Sequence, residues 1–221
     1  MHRLENRYGQ RSSFGLVIRW FGGLAVVLAL GAIFTALAED VWFREGFTWD
    51  APLILALHAL GRPWLDIVMR IVTQTGQGGA VALVMLIVGY FSWRRQWIDA
   101  ATTAISFVGA VSINSLLKLL LARPRPALFP PLVAESGFSF PSGHVTAAVA
   151  VYGLLAVYLW QRRHRIWAVA SGAWVLVVAV SRIYLGVHYP SDTLGSLTFA
   201  ILWLGVVFAA RSWFTHRTAR S

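Results

Sequence analysis

Long apolar runs separated by short polar segments dominate the chain. Six runs reach the roughly 17–25 residues that a helix needs to cross the hydrocarbon core of a bilayer. They cover residues 14–38, 71–93, 98–121, 142–160, 166–184 and 193–210. Unbroken apolar runs of this length are typical of membrane helices and not of the alternating strands of a membrane barrel. The pattern therefore predicts an all-α polytopic membrane protein with six transmembrane helices.

Two stretches fit this pattern less simply. Residues 51–70 are apolar but are interrupted by Gly61, Arg62 and Pro63, and an internal proline breaks a helix. We expect two short interfacial helices there, in the first extracytoplasmic loop, with an additional span as the alternative. Residues 36–38 resemble a signal-cleavage site, but the apolar run before them exceeds the usual 7–15 residues. We therefore expect this run to be the first membrane helix.

The composition supports a membrane protein. The chain has 221 residues, of which 57% are hydrophobic and 13% are charged, whereas a soluble domain is about 25% charged. The absence of cysteine excludes a disulfide framework, a zinc–cysteine site and a cysteine nucleophile. Neither an internal repeat nor a low-complexity linker interrupts the pattern. We expect one integral-membrane domain over residues 1–221.

The net charge of +10 would also fit a nucleic-acid-binding protein, so the distribution of the basic residues decides. Four polar segments on one side of the six helices carry most of them: Arg3, Arg7 and Arg11; Arg94 and Arg95; Arg162, Arg163 and Arg165; Arg211, Arg217 and Arg220. The positive-inside rule assigns that side to the cytoplasm. The chain is therefore predicted to lie in a cell (inner) membrane with both termini cytoplasmic, and nucleic acid is not an expected partner.

Several polar residues remain that topology does not explain, and all lie at extracytoplasmic helix ends. They are Lys118, Arg123 and Arg125; Ser142 and His144; Arg182; His188 and Asp192. Ionisable residues at membrane depth are costly and usually functional. Lys118 is also the only lysine among the 19 basic residues, which suggests that its compact ammonium group is needed there.

The spacing of these residues forms three motifs. Lys118 is followed by six residues and Arg125-Pro126; then come Pro141-Ser142-Gly143-His144, and Ser181-Arg182, five residues, His188, three residues, Asp192. This arrangement resembles the signature of the type 2 phosphatidic acid phosphatase superfamily, with all three motifs complete. The motif-bearing core spans residues 118–192. The resemblance implies an integral-membrane lipid phosphatase whose site faces the extracytoplasmic side.

The residue chemistry independently suits phosphoryl transfer. Lys118, Arg125 and Arg182 supply three cations for the charge of a phosphate group, and arginine forks match its oxygens. Ser142 can cap the following helix. The first N–H groups of that helix, on Gly143 and His144, can then bind an anion, and Gly143 permits close approach.

The resemblance also implies roles for the remaining residues. His188 would attack phosphorus and become phosphohistidine, and His144 would protonate the leaving alcohol and then activate water. Asp192 would hold the reactive tautomer of His188, or alternatively would cap the sixth helix. No metal ion or other cofactor is implied, because the three cations of the site would repel a divalent metal.

The motifs leave several points open. Candidate substrates are undecaprenyl pyrophosphate, phosphatidylglycerophosphate and phosphatidic acid, entering from among the membrane lipids. A lipid phosphotransferase using the same site, or a non-catalytic anion-binding membrane protein, is the alternative. The sequence gives no oligomeric state and no role for Arg123, Glu135 or the 51–70 segment.

Overall fold

The computed structural model describes the backbone of residues 2–218 and the side chains of residues 21–215 and 217. That part of the chain is helical throughout and contains no strand. In chain order the helices are α1 (His2–Phe43), α2 (Asp50–His58), α3 (Pro63–Thr75), α4 (Gly78–Trp93), α5 (Trp97–Leu121), α6 (Gly143–Ala148), α7 (Leu154–Gln161), α8 (Arg165–Tyr184) and α9 (Pro190–Thr218), with a π-helical turn, Val149–Gly153, between α6 and α7. The arginine side chains predicted at positions 3, 7, 11 and 220 lie outside the described residues.

Six helical segments are long and apolar enough to cross a membrane, as the apolar runs predict. They are Phe21–Phe43, Pro63–Trp93, Trp97–Leu121, Gly143–Gln161, Arg165–Tyr184 and Pro190–Thr215. The all-α, six-span fold class is thus confirmed. The first and last helices are longer than predicted at both ends: the first is His2–Phe43 and not 14–38, and the last is Pro190–Thr218 and not 193–210.

The second span is not the continuous helix predicted over residues 71–93. The two short helices expected within residues 51–70 are α2 and α3, but α3 runs on to Thr75 and forms the first part of the span. The helix then breaks at Gly76. A Cβ on Gly76 would lie 2.9 Å from Val178 Cγ1 and 3.0 Å from the carbonyl oxygen of His144. Because Gly76 has no Cβ, this chain segment packs directly against the start of α6.

The fourth span is the most buried of the six, and its π-helical turn leaves backbone groups that need other partners. Ser106 Oγ on α5 donates to the carbonyl oxygen of Ala150 at 3.0 Å, and Ser171 Oγ on α8 donates to that of Tyr152 at 2.8 Å. In an apolar medium such as lipid, a backbone group without a hydrogen-bond partner costs several kcal/mol. These two hydroxyls therefore connect the central span to its neighbours.

The outer surface of the bundle is apolar. Leu86 and Leu119 are each 70% exposed and Ile166 is 83% exposed. A water-soluble protein rarely leaves so continuous an apolar surface uncovered. The exterior is the surface expected of helices that face lipid acyl chains.

Four helix termini meet at one end of the bundle, where α5 and α8 finish and α6 and α9 begin; we call it the site end. Ser142 N donates to the carbonyl oxygen of Asp192 at 3.5 Å, and Ser196 Oγ donates to that of Ser142 at 3.1 Å. Residues 122–142 form an irregular loop across this end. It is attached to the end of α8 by Leu132 N, which donates to the carbonyl oxygen of Leu185 at 3.0 Å.

Gly195 on α9 supports this junction, because a Cβ there would lie 2.6 Å from two ring atoms of the fully buried Phe140. We expect G195A to destabilise the folded protein by roughly 1–3 kcal/mol, the usual cost of overpacking a core. The unfolding midpoint in detergent is the measurement. Gly205 on the same helix has nothing within 4 Å of its Cβ position, so G205A is the matched control. Equal midpoints for the two variants would contradict this packing.

Candidate active site

The loop 122–142 is attached to α5 through the side chain of Lys118. Its Nζ donates to the carbonyl oxygens of Phe138, at 2.5 Å, and Ser139, at 3.4 Å. Ser139 in turn donates from N to the carbonyl oxygen of Arg123 at 2.8 Å and from Oγ to that of Pro124 at 3.0 Å. The bonds of Ser139 hold the two ends of the loop together, and those of Lys118 attach its late part to α5.

Arg125 crosses from the loop to the connection between α8 and α9. Nε and Nη2 donate to the carbonyl oxygens of Gly137, at 3.1 Å, and Ser136, at 2.9 Å. Nη1 donates to the carbonyl oxygen of Val187 at 2.9 Å and lies 3.2 Å from His188 Nε2. The guanidinium group is therefore held in place beside the imidazole of His188.

Arg182 is fully buried at the end of α8. Nη1 donates to Thr73 Oγ1 at 2.6 Å, and Nη2 forms a very short ion pair with Glu135 Oε1. Its Nε has no hydrogen-bond partner among the described residues. Thr73 comes from α3, so the first part of the second span supplies the anchor of Arg182. No sequence signal singled out Thr73.

His188 is 1% exposed and lies against Asp192, which has no exposed surface. The distance from His188 Nδ1 to Asp192 Oδ2 is 3.3 Å. A guanidinium group can only donate, so His188 Nε2 beside Arg125 acts as an acceptor, and Nδ1 carries the proton that faces Asp192. This tautomer leaves the Nε2 lone pair on the side of Arg125.

Asp192 occupies the first turn of α9 and also bonds the helix start. Its Oδ2 accepts a hydrogen bond from the backbone N–H of Tyr189 at 2.9 Å. Asp192 therefore contacts His188 as expected, but it is not the cap of the sixth helix, because α9 begins at Pro190 and Asp192 lies within its first turn. Both contacts fix the carboxylate in one orientation.

The helix N-terminus predicted at Ser142 is present, since α6 begins at Gly143. The predicted cap is wrong: Ser142 makes no side-chain capping bond, and its buried hydroxyl has no partner within the described chain. The backbone N–H groups at the start of a helix are left without partners, and here they belong to Gly143 and His144. A Cβ on Gly143 would lie 4.0 Å from Lys118 Cε, so Gly143 lies beside the lysine stem.

Glu135 is the residue that sequence reasoning left without a role. Its carboxylate pairs with Arg182, lies 3.6 Å from Arg125 Nη2 and lies 3.8 Å from His144 Nε2. It thus contacts three of the groups expected to surround a substrate phosphate. The sequence feature that could have identified Glu135 is its position as a lone carboxylate in the loop between two cationic motifs.

Arg123 is the other residue without an assigned role. It contacts Asp192, whereas the other arginines of the site contact Glu135. Nη1 lies 2.5 Å from Asp192 Oδ1, and Nη2 lies 2.9 Å from Asp50 Oδ2. Asp50, at the start of α2, is buried. From the sequence alone, Asp50 was assigned no role.

Burial and the charges of the site shift the pKa values of His188 and Glu135, which both lie outside the spans. The pKa of His188 lies well below its ordinary 6.5, because burial disfavours the charged ring and Arg182, Lys118 and Arg125 repel its positive charge. Burial acts to raise the pKa of Glu135, but the positive groups around it, Arg182 foremost, together outweigh burial and hold that pKa below its ordinary 4.5. His188 is therefore a neutral imidazole at pH 7, and Glu135 is an anion.

This arrangement provides an anion-binding site beside a neutral imidazole. Its cations converge on one carboxylate, and the hydroxyl of Ser142 and Nε of Arg182 are donors still to be satisfied. In the described part of the chain no three His, Asp or Glu side chains cluster as metal ligands would. A tetrahedral oxyanion with two negative charges matches these donors.

Comparisons with known proteins agree with this description. The family model described as PAP2 superfamily matches residues 99–216. Phosphatidylglycerophosphatase B of Bacillus subtilis (strain 168) is 31% identical over 183 residues, covering 79% of this chain and 89% of the relative. An undecaprenyl-diphosphatase of the same organism is 31% identical over 161 residues, covering 69% of this chain and 79% of the relative.

A solved structure shares the architecture. The transmembrane PAP2-type phosphatidylglycerolphosphate phosphatase from Bacillus subtilis is 31% identical, with a TM-score of 0.76. The similarity covers 84% of this chain and 96% of that structure. The six-span arrangement described above is thus shared with a crystallised phosphatase.

The position of Glu135 predicts competition between its carboxylate and a bound anion. E135Q keeps the size of the side chain and removes its charge, so we expect inorganic phosphate to bind about tenfold more tightly, equivalent to about 1.4 kcal/mol. Calorimetry on the detergent-solubilised protein measures the dissociation constant.

The control is E45Q, because Glu45 is an exposed carboxylate in the segment between α1 and α2. Its removal changes the net charge by the same amount, and among the described residues no ion pair joins Glu45 to Arg125, Arg182 or His144. Unchanged or weaker phosphate binding by E135Q, or an equal gain by E45Q, would contradict the competition.

Proposed function

The chain belongs to the PAP2 superfamily, and from that membership and the site geometry we propose that it is an integral-membrane lipid phosphatase working through a phosphohistidine at His188. The observation that carries the proposal is the placement of His188. Its Nδ1 faces Asp192 at 3.3 Å and its Nε2 lies 3.2 Å from Arg125 Nη1. A neutral imidazole whose Nε2 lone pair faces a phosphate-binding cation is a suitable nucleophile.

Substrate binding replaces one anion with another in this proposal. The phosphate group takes the place of the Glu135 carboxylate beside Arg182, Arg125 and His144. Lys118, the N–H groups at the start of α6 and the hydroxyl of Ser142 supply further donors. The charge of the transferring phosphoryl group is thereby neutralised without a metal ion.

In the first step the lone pair of His188 Nε2 attacks phosphorus. The N–P bond forms while the bond from phosphorus to the leaving oxygen breaks, and His144 donates a proton to that oxygen. The ring of His188 becomes positively charged. Asp192, which accepts the Nδ1 hydrogen bond, stabilises this charge.

In the second step water completes the hydrolysis. His144, now neutral, takes a proton from a water molecule as its oxygen attacks phosphorus. The N–P bond breaks, its electron pair returns to His188 Nε2, and inorganic phosphate is released. Both histidines then have the protonation states with which they began.

The proposed substrate is the terminal phosphate of a lipid phosphate or pyrophosphate: phosphatidylglycerophosphate, undecaprenyl pyrophosphate or phosphatidic acid. Relatives named for the first two are similar over most of this chain. The cationic site lies at the ends of apolar spans, at the level where lipid headgroups lie. The basic loop residues are at the opposite end of the bundle: Arg94, Arg95, Arg162, Arg163, Arg165 and Arg211. By the positive-inside rule we propose that the site faces the extracytoplasmic side of the inner membrane, with both termini cytoplasmic.

The direct test is phosphate release by the purified protein in detergent with excess chelator. We expect release from at least one of the three lipids and much less from a soluble sugar phosphate. H188A is expected to lower the rate at least about a thousandfold, as loss of a nucleophile does. The ranking of the lipids then assigns the substrate.

H164A is the matched histidine control, because His164 is exposed and lies before α8, at the opposite end of the bundle. Release that persists in H188A would contradict the mechanism. Complete loss of activity in chelator, restored by magnesium, would contradict metal independence. If the folded protein releases phosphate from none of the lipids, that result would contradict the proposed phosphatase activity.

A further inference from the structure

We propose that Arg123 and Asp50 form a positioning pair that holds Asp192 in the orientation required by His188. This inference rests on the proposed function and concerns two residues that no motif includes. Arg123 lies two residues before Arg125, and Asp50 lies at the start of α2, more than sixty residues earlier. We call them the Asp50–Arg123 pair.

The two oxygens of the Asp192 carboxylate are divided between two sets of partners. Oδ2 faces His188 Nδ1 and the backbone N–H of Tyr189. Oδ1 accepts from Arg123 Nη1 at 2.5 Å. Arg123 therefore reaches Asp192 through the oxygen that His188 does not use, and it contacts the nucleophile only through Asp192.

Asp50 anchors the other side of the guanidinium group. Its Oδ2 accepts from Arg123 Nη2 at 2.9 Å and from Ser191 Oγ at 2.5 Å, while its Oδ1 accepts from Ser191 N at 2.9 Å. Arg123 Nη1 also donates to Ser191 Oγ at 2.7 Å. Ser191 precedes Asp192, so the pair holds both the side chain of Asp192 and the backbone turn that carries it.

The guanidinium group of Arg123 is further restrained by packing. Its Cζ lies 4.0 Å from the ring centroid of Tyr189 and 5.4 Å from that of Phe47. The side chain is only 10% exposed. Arg123 differs in this from Arg125 and Arg182, which contact Glu135 in the anion site, and it is therefore not placed to bind the phosphate.

A positioning role follows from the chemistry of a buried carboxylate. Asp192 has no exposed surface, and a buried carboxylate is retained as an anion only when charged or polar partners satisfy it. Arg123 provides that cation, and Asp50 fixes the cation in one geometry. The carboxylate can then accept the Nδ1 proton of His188 and support the positive ring of the phosphohistidine.

The test measures kcat and KM for R123A and D50N on the lipid that the wild type hydrolyses. We expect kcat to fall about 10- to 100-fold, by analogy with the loss seen when residues that orient metal-binding histidines are removed. KM is expected to stay within about threefold of wild type. R123K, which keeps the charge without the fork, is expected to recover part of the lost kcat.

A double variant separates positioning from a structural effect. If Arg123 acts through Asp192, R123A combined with D192N loses no more kcat than D192N alone, because residues acting as one unit are not additive. R211A is the matched control. Arg211 pairs with Asp99 at 2.7 Å at the opposite end of the bundle and is 24% exposed, so its loss reports the general cost of removing such a pair.

Several results would overturn the proposal: wild-type kcat in either single variant, a change in KM alone, or losses that multiply in the R123A/D192N double variant. If R123A does not fold, the isosteric D50N decides by the same criteria. Failure of the proposed function gives a different result, since the wild type would then hydrolyse none of the lipids. If the wild type hydrolyses a lipid and R123A and D50N both keep wild-type kcat, only the positioning role of the pair is refuted.

Discussion

The structure depends on balancing the charges that are buried at one end of an apolar bundle. Burying an unpaired ion in a protein interior costs several kcal/mol. The site end contains four cationic side chains, Lys118, Arg123, Arg125 and Arg182, and three anionic ones, Asp50, Glu135 and Asp192. The cations are therefore one charge in excess before the histidines are counted. In the proposed mechanism a phosphate dianion replaces the Glu135 carboxylate and cancels that excess, while His144 carries the proton that it donates to the leaving oxygen.

This balance divides the site into two parts. Arg125 and Arg182 contact Glu135, in the part that receives the phosphate. Arg123 contacts Asp50 and Asp192, in the part that holds the nucleophile. The helices contribute by bringing distant segments together, since α2 and α3 supply Asp50 and Thr73 to partners that come much later in the chain.

The sequence predicted the six spans and the convergence of Lys118, Arg125, His144, Arg182, His188 and Asp192, because apolar length and motif spacing are local properties. It did not predict the break at Gly76, where the segment packs against Val178 and His144 with no room for a Cβ. It assigned no role to Glu135 or Arg123, because their roles arise from long-range ion pairs. The hydroxyl of Ser142 was expected to cap α6, but the folded chain leaves it without a partner. The preference of serine for the N-cap position predicts a bonded hydroxyl and therefore does not predict this unpartnered one.

The most direct test of the central claim is to identify the phosphorylated residue during turnover. The wild-type protein would be mixed with the lipid phosphate it hydrolyses, quenched in alkali, where phosphohistidine survives, and mapped by mass spectrometry. The account predicts phosphate on His188 and on no other residue, with no labelled protein in H188A. Rapid turnover with an unmodified His188, or with phosphate on a different side chain, would contradict it.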